Sequence, residues 1–212
     1  MGFYIPGGEL TKGSVVLKSA QDVLAYWLDE LGPKGWYAGG DALDAEIRER
    51  FLSTWERARD GGLGLWLTCP SETLAYLIVT DQMSRNIFRN EADAFTLDGA
   101  ARAAAKLAIN KGWDLKIDEP ARQFFYLPLM HAENQIDQDR AVRLINDRMP
   151  ETGADNIDHA RAHREIIRRY GRFPFRNKAL GRESTPAELA FMSGSGYGDI
   201  LREVQAEGTV AA

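Results

Sequence analysis

The sequence predicts an all-α fold. Apolar residues recur at helical spacing along nearly every segment, cap and stop residues bracket those segments, and no run alternates with period two between hairpin turns. "SAQDVLAYWLDEL" opens on a Ser cap and sets Val23, Leu24, Trp27, Leu28 and Leu31 on one face. "DALDAEIRERFLSTWERARDGG" aligns Ile47, Phe51 and Trp55 and stops at a Gly pair. "PSETLAYLIVTDQMSRNIF" carries Pro70, Ser71 and Glu72 as start signals, and the Ala-rich "TLDGAARAAAKLAINKG" ends at Gly112. "EPARQFFYLPLMHAENQ" has one Pro in its first turn and a second, Pro128, in its interior. The missing donor and ring clash of Pro128 predict a kink just before His131. "IDQDRAVRLINDRM" and "ADNIDHARAHREIIRRYG" follow, and "TPAELAFM" closes the fold with Thr185 as its cap. Short helices joined by brief loops suggest antiparallel pairs, arranged either as a bundle or as a curved stack.

At 212 residues one well-cored domain is expected. It is placed at residues 20–193, with an N-terminal arm over 1–19 and a C-terminal tail over 194–212 that starts in a Gly/Ser stretch. No internal repeat at a fixed period is visible. A composition of 44% hydrophobic and 27% charged residues is that of an ordinary soluble protein. The longest apolar run, Leu74–Val79, is far short of a membrane span, and the N-terminus does not read as a signal peptide. With Cys69 alone there is no internal disulfide and no thiolate metal cage, so a cytoplasmic protein is expected. The net charge of −5 argues against nucleic acid or anionic membrane as a partner. Charge is nonetheless uneven: residues 161–182 hold eight basic residues and one acid, so the remainder of the chain carries −12. Such a block implies an internal charge match or a local anion site.

Asp81 and Arg85 stand where the stripe of Leu74, Leu77 and Ile78 should continue, so a carboxylate and a guanidinium turn inward four residues apart. They form either a structural ion pair or an anion site in which Arg85 keeps donors free. Gln82, Asn86 and Arg89 make a separate polar face beside them. His131 continues the stripe of Phe124 and Leu127, and His163 lies on the face of Ala160, Ile167 and Tyr170. Glu133 sits on the far side of the helix from His131, so "HAE" is not a zinc motif. His159 and His163 are spaced for a metal, but no metal site and no cofactor is assigned. In "RRYGRFPFRNKALGR", Gly171 is a helix stop and Pro174 fixes the chain beyond it. Arg172, Arg176 and Asn177 then lie on an ordered loop, suited to carboxylate or phosphate groups or to answering acids such as Asp81, Glu133 and Asp98.

"VLAYWL", "WY" at Trp36–Tyr37, "LTCPSETLAYLIVTDQMSRNIFR", "AFTLDGAA", "FFYLPLMHAENQIDQ" and "HREIIRRYGRFPFRNKALGR" occur in one order between about Val23 and Met192. As a set they resemble a bacterial family of unknown function, domain of unknown function 924. The resemblance implies a right-handed stack similar to tetratricopeptide helical hairpins, and no activity. Its recurring positions fall here on Asp81, Gln82, Arg85, Asn86, Arg89, His131, Glu133, His163, Gly171, Arg172, Phe173, Pro174, Arg176 and Asn177. This chain departs from the pattern at Met83–Ser84 (commonly Phe-Pro), Ala132 (commonly Ser) and Phe175 (commonly His).

The reading that joins these features is a polar, cationic pocket for a small anionic ligand or an acidic peptide end. Asp81, Gln82, Arg85, His131, Glu133, His163, Arg172, Arg176 and Asn177 are its expected lining. One rival is a hydrolase with Asp81, Glu133 or His163 as general base and Arg85 and Arg172 as oxyanion holders. Another is a tetratricopeptide-like scaffold for partner proteins, which would expose apolar patches. Whether the chain is an enzyme, and its oligomeric state, stay open at this level.

Overall fold

Helix ends fall where cap chemistry sets them. The structure, a computed structural model, describes residues 17–210 and contains no strand among them. Residues 1–16 of the expected N-terminal arm lie outside the described residues. Helix α1 starts at Ser19, whose hydroxyl and backbone exchange bonds with Asp22 in a capping box. It runs through Ala20–Leu24 into a π-helical stretch, Ala25–Leu31. Helix α2 is Asp41–Arg59. Helix α3 starts at Pro70–Leu77, widens to a π-helix over Ile78–Met83 and ends as Ser84–Ile87. Helix α4 is Asp98–Asn110.

The fifth expected helix is not one kinked rod. A 3₁₀ turn, Ala121–Phe125, gives way to the short helix α5, Leu127–Met130, and Pro128 stands in the first turn of α5. Proline is tolerated there because the first-turn N–H needs no partner inside the helix, so the chain breaks before Pro128 rather than bending around it. Helix α6, Gln135–Arg148, is capped by the Asn134 side chain, which accepts from the Asp137 N–H at 3.1 Å. Helix α7, Ala154–Tyr170, ends at Gly171 in the left-handed region, φ 69°. Helix α8 is Pro186–Ser193, capped by the Thr185–Glu188 box. The segment expected to be a tail holds a further helix, α9, Tyr197–Val210.

The main core gathers α1 to α6 around Trp27, Trp55, Tyr126, Phe51 and Phe124. α6 packs along α7, and α9 packs on the other side of α7. Ile200 and Val204 of α9 join Ile166, Ile167 and Phe173 in a second apolar cluster. The two-sided burial of α7 explains why the tail orders: α9 carries its own apolar stripe and covers one that α7 would otherwise expose. No helix among the described residues is long and apolar enough to cross a membrane.

A Cβ at position 171 would meet nothing within 4 Å, so only backbone conformation opposes a side chain there. Gly171→Ala is therefore expected to cost about 1–2 kcal/mol, the left-handed penalty alone. Chemical denaturation checks it; a cost near zero would mean that the C-cap relaxes to another conformation.

Candidate functional site

The inward turn of Asp81 has a simple cause. Residues 73–84 are all buried, so α3 passes through the core with no solvent face on which to place a polar group. The hydroxyls on this stretch return to the backbone: Thr80 donates to the Tyr76 carbonyl at 2.7 Å, and Ser84 to the Thr80 carbonyl at 2.8 Å. Ser84 also accepts from Trp55 Nε1 at 2.8 Å.

Asp81 is 1% exposed and sits in the π-helical stretch. The wider turn changes which side chains stack above one another. Arg85 Nη2 stays 3.8 Å from Asp81, whereas His131 Nδ1 reaches both carboxylate oxygens at 2.8 and 2.9 Å. Gln82 Nε2 donates to the same carboxylate at 2.5 Å. Burial pushes the Asp81 pKa up, but His131, Arg85 and Gln82 outweigh it and hold the carboxyl below its ordinary value. An ionised carboxylate on Nδ1 fixes that nitrogen as the donor and leaves Nε2 of His131 free.

Each expected arginine has a carboxylate. Arg85 donates to Asp98 at 2.6 Å and to the Ala94 carbonyl, and Arg176 reaches the other Asp98 oxygen at 3.2 Å. Both guanidiniums lie over the Phe95 ring. Burial, and then the nearby Arg85 charge, lower the Arg176 pKa to about 10, so it remains a cation at neutral pH. Glu133 takes the fork of Arg182 at 2.7 and 2.9 Å and the Phe173 N–H at 2.8 Å. Burial raises its pKa, and those partners more than offset the rise. Arg172 grips Glu188 at 2.6 and 2.8 Å. Asn177 donates to Ser184 at 3.0 Å and accepts from Arg182 at 2.9 Å. Asn86 and Arg89 both meet Asp44 on α2. The basic block is largely an internal charge match.

Two networks result. Asp81, Gln82, Arg85 and His131 connect through Asp98 to Arg176; Glu133 connects through Arg182 and Asn177 to Glu188 and Arg172. Phe173 joins them: its N–H is held by Glu133, and its ring contacts Arg176 and His163 at centroid distances of 4.5 and 5.4 Å.

Beside His131 and His163 lies a cavity of about 1280 Å³, larger than the usual small-molecule pocket of roughly 300–1,000 Å³. Of the expected site residues only these two histidines line it. Trp36 and Tyr37 enter from the turn after α1, and Leu127 and Met130 from α5. Phe175 and Lys178 close one side, and Phe191 and Tyr197 bring the α8–α9 junction over the space. Gln123, which accepts from Asn156 at 3.0 Å and from the Tyr37 hydroxyl, adds a polar spot. His163 directs Nδ1 at the His159 carbonyl, 2.8 Å away, and His159 Nδ1 meets the Tyr197 hydroxyl at 2.6 Å. Burial, and then the neighbouring His131, push the His163 pKa down to about 3, so this ring is neutral. No three His, Cys, Asp or Glu side chains among the described residues are grouped to hold a metal ion. Lys178 is the only lysine or arginine in the lining; it is exposed, and its amino group has no partner among the described residues.

Sequence reasoning missed Trp36, Tyr37, Gln123, Asn156, Lys178 and Tyr197. Trp36–Tyr37 had a signal, since adjacent aromatics between two helices have no helical face to explain them. Tyr197, an aromatic directly after a Gly/Ser stretch, had a weaker one.

The family model for a bacterial protein of unknown function (DUF924) matches residues 23–196. No match was found among curated proteins. Among solved structures, the chain is similar to a protein of unknown function, ATU0120, from Agrobacterium tumefaciens. The two are 37% identical with a TM-score of 0.75, over 82% of this chain and 96% of that one.

Proposed function

This chain belongs to the DUF924 family of bacterial proteins of unknown function, and we propose that it binds a small, mostly apolar molecule with an anionic end in the cavity beside His131. One observation carries the reading: a cavity of about 1280 Å³ walled mainly by aromatic and aliphatic side chains meets the edge of His131 and the exposed Lys178, which has no partner among the described residues. An apolar body suits the walls, and a carboxylate suits the Lys178 ammonium. The arginine loop expected to hold the anion supports the wall instead, because Arg172, Arg176 and Arg182 are engaged by Glu188, Asp98 and Glu133. That engagement also takes support from an acidic peptide end as the ligand. We further take the helices as antiparallel pairs in a right-handed, tetratricopeptide-like stack, a reading supported by the packing of α6 on α7 and α7 on α9.

Thermal shift with 3-phenylpropionate and octanoate, set against 3-phenylpropanol and inorganic phosphate, tests the site. Both acids are expected to raise the melting temperature saturably, as a ligand of the native state must. Lys178→Ala should remove the preference for acid over alcohol. Equal stabilisation by phosphate, or none by either acid, would overturn the proposal.

A further inference from the structure

The Asp81–His131 pair is more than a buried carboxylate with a partner. Gln82 at 2.5 Å and Arg85 at 3.8 Å already attend Asp81 from its own helix, yet α5 brings a titratable ring onto both of its oxygens. The ring is partly exposed, and the exposed part lines the cavity. Its Nε2 has no partner among the described residues. A carboxylate on Nδ1 fixes the tautomer, orients the ring and stabilises the imidazolium that forms when Nε2 takes a proton. The other candidate bases lack this arrangement: Glu133 is held in the Arg182 fork, and His163 faces a carbonyl of its own helix with no carboxylate behind it.

We propose that His131 is the general base of a hydrolytic reaction in the cavity, with Asp81 as its positioning residue and carboxylic esters of mostly apolar acids as substrates. This inference rests on the binding reading above, since the acid released is the ligand class proposed there. Water bonds through its oxygen to the ester carbonyl carbon while its proton moves to His131 Nε2. The bond from that carbon to the leaving oxygen then breaks, and the proton passes from Nε2 to the departing alkoxide. Acid and alcohol are released and the imidazole returns to its starting state. Lys178 supplies the cation that opposes charge on the carbonyl oxygen.

Hydrolysis of 4-nitrophenyl butyrate and 4-nitrophenyl 3-phenylpropionate by the full chain tests this. Turnover above buffer is expected, with kcat lower in D2O than in H2O because a proton moves in the rate-limiting step. His131→Gln should lower kcat by about 100-fold or more. Asp81→Asn should lower kcat by about tenfold or more, within the general-base contribution, with KM little changed and 3-phenylpropionate still bound. A wild-type rate equal to buffer, no isotope effect, or full activity in His131→Gln would overturn the proposal. If 3-phenylpropionate binds in those cases, catalysis falls alone; if it does not, the binding reading falls with it.

Discussion

Phe173→Ala is expected to be among the most destabilising single substitutions in this chain, at about 3–5 kcal/mol. The ring is fully buried in the cluster that holds α9 against α7. It also carries the Arg176 guanidinium on one side and His163 on another. Truncation therefore leaves a cavity and removes the joint between the two ion-pair networks, and neither loss is easily repaired by relaxation. The neighbouring Phe175 is 48% exposed, so Phe175→Ala should cost far less. Urea denaturation of both variants reads the difference in midpoint. Equal midpoints would mean that the Arg172–Arg182 loop is held by its ion pairs alone.

The second large effect is on pH dependence. His163 has a folded pKa of about 3 against an ordinary value of 6.5, with burial the largest cause. A folded value below the unfolded one means that the unfolded chain binds the extra proton between those limits, so acid in that window favours unfolding. Stability is expected to fall as pH drops below 6.5, at no more than about 1.4 kcal/mol per pH unit. The ring is partly exposed, and solvent screening keeps the slope under that ceiling. Asp81 and Glu133, held below their ordinary values, stay ionised through the upper part of the window and lose their contribution only in stronger acid. Urea midpoints at pH 7 and pH 5 should differ in the wild type, and His163→Gln should flatten the difference. An unchanged slope in that variant would assign the effect to another group.

The helical fold was legible because helices announce themselves locally. Ser19, Gly171 and Thr185 set their helix ends through contacts within a few residues. Pro128 was misplaced because the same residue that kinks a helix interior also starts a helix, and the choice depends on the 3₁₀ turn before it. α9 was hidden by the Gly/Ser stretch that precedes it, which reads as a linker until Tyr197 is seen against His159. The inward polar residues were legible one at a time, from a break in the apolar stripe. Their partners were not. A four-residue spacing suggests that Asp81 belongs to Arg85, and only the π-helical turn across Ile78–Met83 shows why it meets His131 from fifty residues away. The charge block pointed to Glu133 and Asp98 among the acids that answer it, but not to which arginine meets which acid, nor to Glu188, because the three acids come from other parts of the chain.

A ligand held in the proposed cavity, rather than on the arginine loop, would be felt at His131. NMR of the histidine imidazole and arginine guanidinium nitrogens during titration with 3-phenylpropionate tests it most directly. Saturable shifts are expected at His131, with the Arg172 and Arg176 guanidinium signals unmoved. Saturable shifts at Arg172 or Arg176 with His131 unchanged would contradict it.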